Sequence, residues 1–532
     1  MIENASLEQR TDALADKLVT LLGNSSVIFD VDELEFLSSD VYSAGVTAAI
    51  AIRPADRSLI PKAIRHIGDA GFAIVPRGGG MSYTSGYTPI RADSVIVDLG
   101  GLDRIVSIDR NDMTITVEAG VTWQQIFDAL KPLGLRLPFF GTFSGRRATV
   151  GGGMSNGALF MGTGRYGTAA EIVLGFEVVT AEGHLLRTGQ SAFNNGKPFY
   201  RSYGPDLTGL FVHDAGALGV KTLISMRFME APLRTDYASF VYDNMNDAAM
   251  AMSEIARAGV AEEAYIFDPE STRRGLDAGD LRQDLKRLLG VVKSQGSLSR
   301  GVREGFKLVG AGRNFIDKDV FSLHVVVSGN CEEAVATDLS RARAIADQFR
   351  GGEIANSIPK AARANPFEPL NGILGAEGDR WAALNCKVAH SDAAEIIGRT
   401  DAILARHGKQ MSTEDVTCSR LCIAISNHAF SFEPVLRWND EWLPVHRRTP
   451  EPEHLAKLKE PAPNPVARAL VHEIRAEIVA LFAEYGAASN QIGKTYAYFE
   501  SMNPETAALI VDLKKSLDPD GLMNPGALGL PE

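Results

Sequence analysis

Four glycine-rich segments within about 150 residues constrain this chain more than any other feature. They are Pro76-Arg-Gly-Gly-Gly-Met-Ser-Tyr-Thr-Ser-Gly86, Thr149-Val-Gly-Gly-Gly-Met-Ser-Asn-Gly157, Gly162-Thr-Gly-Arg-Tyr-Gly167 and Gly216-Ala-Leu-Gly-Val-Lys-Thr222. Glycine takes positive φ without a Cβ penalty and leaves its N–H unshielded. Successive N–H groups of that kind form a concave nest for anionic oxygens. Ser82 and Thr84 add hydroxyl donors to the first segment. One such loop equally suits a plain turn in a β domain. Several, separated by short β-branched runs, suggest a backbone-lined groove for an elongated, phosphate-bearing ligand.

The third segment has the spacing G-x-G-x-x-G. A dinucleotide fold needs a strand immediately before that spacing and a helix immediately after it. Here Met154–Met161 is not strand-like and Ile172–Thr180 is strand-like, so that assignment is rejected. A P-loop is excluded as well, because Gly196-Lys197 is followed by Pro198.

The rest of the composition narrows the class. The 532 residues allow two to four domains, at roughly 100–200 residues each. A net charge of −12, from 54 basic and 66 acidic residues, offers no basic face for nucleic acid. Four cysteines, Cys331, Cys386, Cys418 and Cys422, are too few for a disulfide scaffold, and no CxxC pair points to zinc. No metal site is expected. Leu7, Leu14, Leu18, Leu21 and Leu22 mark an amphipathic N-terminal helix rather than a signal peptide. No run of about eighteen apolar residues occurs. The expectation is a soluble protein of a reducing, cytoplasmic compartment without a membrane span.

The chain divides into three stretches. Residues 1–232 alternate glycine turns with strands at Ala73–Val75, Val95–Asp98, Thr114–Val117, Ile172–Thr180 and Val220–Phe228, and with helices at Ser58–Ala70 and Trp123–Leu133. Residues 233–466 carry helical periodicity in Asp247–Ala258, Leu281–Leu289, Cys331–Phe349 and Ala393–His407. Strand-like runs lie between them at Phe321–Val327, Trp381–Ala389 and Arg420–Ser426. Lys457–Val466 holds three prolines and reads as a linker. Residues 467–532 predict a long helix over Ala467–Tyr485 and another around Ala507–Leu517.

The order of these segments resembles the FAD-binding type found in vanillyl-alcohol oxidase, p-cresol methylhydroxylase, glycolate oxidase FAD subunits and D-lactate dehydrogenases. The matching stretches are Val75-Pro-Arg-Gly-Gly-Gly-Met-Ser, Val95-Ile-Val-Asp-Leu, Thr116-Val-Glu-Ala-Gly-Val and Thr149-Val-Gly-Gly-Gly. They continue through Tyr166-Gly, Leu174-Gly-Phe-Glu-Val-Val-Thr-Ala-Glu-Gly, Asp206-Leu-Thr-Gly-Leu-Phe, Gly216-Ala-Leu-Gly-Val and Leu517-Asp-Pro-Asp-Gly-Leu-Met-Asn-Pro-Gly526. The resemblance implies an α+β protein. It would have a two-subdomain FAD-binding domain (1–232), a central α/β substrate or cap domain (233–466) and a C-terminal segment (467–532) that returns to complete the FAD site.

The resemblance also implies site residues. Pro76, Arg77, Gly78, Gly79, Gly80, Met81 and Ser82 would hold the pyrophosphate through main-chain N–H groups. Thr149, Val150, Gly152, Gly153 and Asn156, with Tyr166 and Gly167, and then Gly216, Gly219 and Val220, would line the ribityl chain and flavin. Asn524, with Pro525 and Gly526, would close over the cofactor. One departure is Asp214-Ala215 before Gly216, where the family often has Ser-Glu. Met81 stands where some relatives attach the flavin through histidine, and Gly493-Lys-Thr-Tyr496 stands where others carry Arg-Thr-His. FAD is therefore expected to be non-covalent, with a tyrosyl bond through Tyr496 as the alternative.

A flavin enzyme of this kind removes hydride from a CH–OH or benzylic carbon while a base takes the hydroxyl proton. His390 and His428 lie in or beside cap strands and are the candidate bases, alongside Tyr496. Arg420 and Lys494, with Lys387, are candidates to anchor a carboxylate or phenolate. Tyr496, Tyr498 and Glu500 would share one face if that stretch were a strand. The donor is an aryl or phenolic alcohol, or a 2-hydroxy acid. The Gly-Asp-Gly-Asn-x-His stretch that gives such hydroxy-acid dehydrogenases a metal ligand is absent. Expected partners are a small-molecule alcohol or hydroxy acid, an electron acceptor (oxygen or a redox carrier) and, as in many relatives, a second copy in a homodimer. Two other classes compete: a non-catalytic FAD subunit of an electron-transfer complex, and a flavin reductase fed by NADPH.

Overall fold

A computed structural model describes residues 6–272 and 319–531. The helix expected at Leu281–Leu289 lies outside the described residues. Strands β1 (Val27–Ile28), β2 (Ile50–Ile52), β3 (Ala73–Arg77) and β4 (Ser94–Asp98) form a sheet in the order β1-β2-β4-β3. β2, β4 and β3 run parallel, and β2 and β4 are buried throughout. That is the pattern of strands covered on both faces. The helix Ile60–Asp69 covers one face with Ile60, Ala63, Ile64 and Ile67, an i, i+3, i+4, i+7 stripe. The helix Val31–Leu37 covers the other face, packing Leu34, Phe36 and Leu37 against Ala51, Val75 and Ile96.

The second sheet is antiparallel. It holds β5 (Ile105–Asp109), β6 (Thr114–Glu118), β8 (Val173–Val179), β9 (Leu185–Arg187) and β10 (Val220–Arg227) in the order β5-β6-β10-β8-β9. A short pair, β7 (Leu135–Arg136) with β11 (Met229–Glu230), stands beside it. The spacing G-x-G-x-x-G at Gly162–Gly167 holds only a one-turn helix, Thr163–Tyr166, and leads into β8.

The third sheet comprises β12 (Arg234–Tyr242), β13 (Glu263–Phe267), β14 (Phe321–Gly329), β15 (Gly352–Ile354), β16 (Arg380–Ala383), β17 (Cys386–Ala389), β18 (Thr417–Ile425) and β19 (Ala429–Trp438). Its order is β15-β12-β14-β13-β18-β19-β16, with β17 also on β19. One face packs under the helices Met245–Arg257, Glu332–Gln348, Ala393–Thr413 and Pro465–Glu484 through Ile266, Val325, Cys422, Phe430, Phe432 and Trp438. The period-2 alternation of strands then turns Tyr265, Leu421, Ile423 and Glu433 to the opposite face. Tyr265 and Ile423 on that face are packed into the core of the first two sheets.

Three local expectations are corrected. Trp381–Ala389 is two strands, broken at Leu384-Asn385, because Pro434 opposite the break has no N–H for the ladder. The stretch with Tyr496, Tyr498 and Glu500 is a series of turns, so it has no shared strand face. The helix Pro465–Glu484 buries Leu470, Val471, Ile474, Ile478 and Phe482 in the core under the third sheet. The return to the first sheet comes later, where Ile74 N–H donates to Leu522 O and Asn524 N–H donates to Ile74 O.

Candidate functional site

The first two glycine segments touch. A Cβ on Gly78 would lie 2.4 Å from Thr149 Oγ1, and one on Gly79 would lie 2.0 Å from the Arg147 carbonyl oxygen. Glycine is required at both positions by this close approach. The fourth segment joins them through side chains. Lys221 Nζ donates to Ser155 Oγ at 2.8 Å and to Asp214 Oδ1 at 2.6 Å, and Asp214 Oδ1 also accepts from Gly216 N–H at 3.0 Å. Asp214, the departure from the family pattern, is thus the residue that ties the fourth loop to the second. Burial pulls the Lys221 ammonium below its ordinary range, and Asp214 partly offsets this.

Gly78, Gly86, Gly151, Gly152, Gly216 and Gly219 surround one narrow cavity of about 40 Å³. Asn524 clamps its rim: Nδ2 donates to Gly86 O at 2.8 Å and to Ala215 O at 2.7 Å. Three of the four glycine segments converge here. The third does not. Gly162 N–H donates to Glu263 Oε1, and Tyr166 packs under the Arg136 guanidinium, 5.7 Å from its ring centroid. Tyr166 and Gly167 therefore brace the first unit against β13 and line neither cavity. Val150 and Val220 are fully buried in the hydrophobic core.

The lining suits FAD on two grounds. First, Asn156 Oδ1, Tyr87 Oη and Arg77 Nε and Nη2 are buried without a hydrogen-bond partner in the protein. Buried polar atoms of that kind are ordinarily satisfied. Second, Arg77 and Arg147 crowd around Phe36 and the first loop, with Arg147 Nε on Gly79 O. Burial and then the Arg77 charge pull the Arg147 guanidinium down to about 10. An anionic ligand on the Gly78–Gly80 loop would relieve that charge.

A larger cavity of about 380 Å³ shares Gly78, Tyr87, Gly152 and Asn156 with the glycine channel and is bounded by the first two glycine segments and by the inner face of the third sheet. Phe143, Phe160, Leu370, Ile373, Trp381, Leu421 and Ile423 make its apolar wall. Phe143 and Phe160 lie with ring centroids 3.9 Å apart, and Phe160 sits at φ +144°. Such backbone strain in a bulky residue tends to gather at functional sites. The polar groups are few. Ser82 Oγ donates to Gln491 Oε1 at 2.8 Å, and Tyr83 Oη donates to Glu433 Oε2 at 3.4 Å. Burial pushes the Glu433 carboxyl up to about 7, against hydrogen bonds from Asn385 and Tyr83 that lower it.

None of the five candidate catalytic residues lines this cavity. His390 lies in the turn after β17, half-buried, and burial followed by the Arg257 charge lowers its ring. His428 is exposed in the turn between β18 and β19. Arg420 points to the helix side of β18 and pairs with Asp401 and Asp268. Lys494 Nζ donates to Thr88 O at 2.7 Å and to Asn524 Oδ1 at 3.2 Å. Tyr496 is a packing residue whose Oη accepts the Asn385 N–H at 2.6 Å. Lys387, on the inner face of β17, is also outside the lining, and burial lowers its ammonium to about 8. Glu433, Tyr83, Asn490 and Gln491 are the site residues that sequence reasoning missed. Glu433 left no distinguishing signal: on the parity opposite Phe430, Phe432, Leu436 and Trp438, beside Ser431 and Arg437, it reads as an ordinary solvent-face residue of an alternating strand.

The FAD binding domain family matches residues 48–189, and the C-terminal domain of the FAD linked oxidases matches residues 461–528. The mitochondrial D-lactate dehydrogenase [cytochrome] 1 of Saccharomyces cerevisiae is 28% identical over 284 residues, 51% of this chain and 46% of the relative. Glycolate oxidase subunit GlcD of Bacillus subtilis is 30% identical over 231 residues, 43% of this chain and 47% of the relative. The chain thus spans about half the length of these two curated relatives. Among solved structures, p-cresol methylhydroxylase with substrate bound superposes with a TM-score of 0.73 at 17% identity, over 98% of this chain and 97% of that one. The two domain families point to an FAD site drawn from both ends of the chain, and the fold is shared with p-cresol methylhydroxylase.

Proposed function

For a chain that carries an FAD-binding domain and the C-terminal domain of the FAD-linked oxidases, we propose an FAD-dependent oxidoreductase that takes hydride from a CH–OH or benzylic carbon of a small molecule. The observation that carries this reading is that the two cavities share Gly78, Tyr87, Gly152 and Asn156 as lining, so the glycine channel adjoins a mostly apolar chamber under the inner face of the third sheet. When bound, FAD supplies a two-electron acceptor at its N5.

The residues divide the work. Gly78–Gly80, Thr149, Gly152, Gly153 and Asn156 would hold the cofactor, with Gly216 and Gly219 on the far side of the channel. Attachment is non-covalent in this reading; Tyr496, the alternative, lines neither cavity and its Oη accepts the Asn385 N–H. Phe143, Phe160, Leu370, Ile373 and Trp381 exclude water from the reacting carbon. Gln491, held by Ser82, and Asn490, whose buried Oδ1 lacks a protein partner, orient the donor's oxygen. The final electron acceptor is oxygen or a redox carrier.

The test is spectroscopic. The purified full chain should show a bound-flavin absorption spectrum, with FAD released on denaturation. Anaerobic mixing with a panel of aryl alcohols, phenols and 2-hydroxy acids should bleach the flavin with at least one class. Folded protein without flavin overturns the reading. Flavin that no alcohol bleaches, or that NADPH alone bleaches, replaces it with an electron-transfer subunit or a reductase respectively.

A further inference from the structure

We propose that Glu433 accepts the hydroxyl proton of the donor and that the donor is an uncharged, mainly apolar alcohol rather than a hydroxy acid. The proposal rests on the proposed function and on reading the end of the 380 Å³ cavity that Trp381, Leu421, Ile423 and Glu433 bound, opposite the glycine segments that would hold FAD, as the donor chamber. Strand parity places Glu433 inside it, opposite Leu421 in the β18–β19 ladder and on the face that carries Ser431. The carboxyl has two long hydrogen bonds. Tyr83 Oη and Asn385 Nδ2 both donate to Oε2, each at 3.4 Å. Asn385 is itself fixed, its Nδ2 donating to Ser431 Oγ at 2.9 Å and its backbone N–H to Tyr496 Oη at 2.6 Å. Both hydrogen bonds to the carboxyl fall on Oε2, so Oε1 is the oxygen left to take a proton.

The charge around the chamber sets the donor class. Among the described residues that line it there is no lysine, arginine or histidine, and the carboxylates Glu433 and Glu368 both line it. A donor carboxylate would enter an apolar chamber facing like charge and no counter-ion. Arg475, the cation packed behind Tyr83, donates to Ala383 O and Tyr83 O. The other titratable groups packed around Glu433 are Tyr83, Tyr496 and, on the far face of the sheet, Cys422; burial pushes all three up. Glu433 is thus the lining group that changes charge around neutrality, while Lys387, lowered to about 8 on the same face of the neighbouring strand opposite Ser431, lies outside the lining. In the step itself the donor's O–H proton passes to Glu433 and its C–H hydride, with two electrons, passes to FAD. The C–O bond becomes C=O, so the donor is oxidised and the FAD reduced.

Two measurements on the FAD-loaded full chain test this. Anaerobic flavin bleaching by benzyl alcohols should speed up as pH rises through neutrality. In Glu433→Gln it should be at least about a hundredfold slower and lose that rise, while Glu433→Asp should recover part of both. Separately, equilibrium titration of the oxidised flavin spectrum should show benzamide binding at least about tenfold more tightly than benzoate at pH 8 in the unaltered protein. Benzoate should gain as pH falls to 6. Glu433→Gln with an unchanged rate and pH profile, or benzoate binding more tightly than benzamide at pH 8, overturns the proposal. Should no alcohol bleach the flavin, the reading of the reaction fails and proton transfer by Glu433 fails with it; the benzamide and benzoate ratio then still decides the charge preference.

Discussion

Lys494 Nζ donates to Asn524 Oδ1 at 3.2 Å, and so the ammonium orients the amide that bridges two glycine loops. The other end of that amide holds Gly86 O and Ala215 O. Two residues that read in sequence as a catalytic cation and a cofactor contact act together as a brace. Asn524→Ala should leave two buried carbonyls unpaired and cost about 2 kcal/mol of stability. It should also weaken FAD retention, because the brace sets the width of the channel. Urea denaturation and the fraction of FAD kept through desalting check both parts.

Gly79→Ala should abolish FAD retention more completely than any polar substitution in the loop. The added Cβ would lie 2.0 Å from the Arg147 carbonyl oxygen, a backbone atom that has no rotamer to escape into. The absorption ratio of flavin to protein after gel filtration is the readout.

Arg420→Ala should behave as a stability variant. Its guanidinium neutralises Asp268, which is buried, and Asp401 on the covering helix. Removing one partner of such a pair costs about 3 kcal/mol. Thermal unfolding should shift clearly downward, while the flavin spectrum at a temperature where the variant is folded should match that of the unaltered protein.

Glu433→Gln should stabilise the protein at alkaline pH. Burial holds the folded carboxyl near 7, against about 4.3 in an unfolded chain. The raised value means that the folded state prefers the protonated form. Stability tied to this group is full below about pH 4 and is lost as pH rises through 7. Glutamine carries no charge at any pH and avoids that loss, so the variant should gain about 3–4 kcal/mol at pH 8 and nothing at pH 4. Equal unfolding midpoints at pH 8 would contradict the assignment.

Glu262 should work in the opposite direction. Burial alone would raise its carboxyl, but Arg363 and Arg136 outweigh burial and hold it down at about 2. Both arginines reach it from other elements: Arg136 from β7, and Arg363 from the helix Ser357–Ala364. The stability it contributes is present above about pH 4 and is lost as pH falls toward 2. Acid titration followed by circular dichroism should show the loosening of β13 in Glu262→Gln already at neutral pH.

The helix stripe of Ile60–Asp69, the strands β3 and β4 and the glycine loops were legible in the residues, because each depends on local periodicity or on the missing Cβ; that β2 joins them and that the three run parallel was not. The same local chemistry showed that Gly162–Gly167 is no dinucleotide fingerprint. Which inner-face side chain meets the donor was not legible. His390, His428 and Arg420 were chosen by residue type, and β17, β18 and β19 then directed them to the turn after a strand, a hairpin turn and the helix face. Sequence alone therefore determined where the backbone segments can approach one another this closely, since only glycine at Gly78 and Gly79 permits it. Tertiary structure alone decided that Glu433 faces the chamber, because the face a strand residue takes depends on which side the covering helices occupy, and those helices come from residues as distant as Pro465–Glu484.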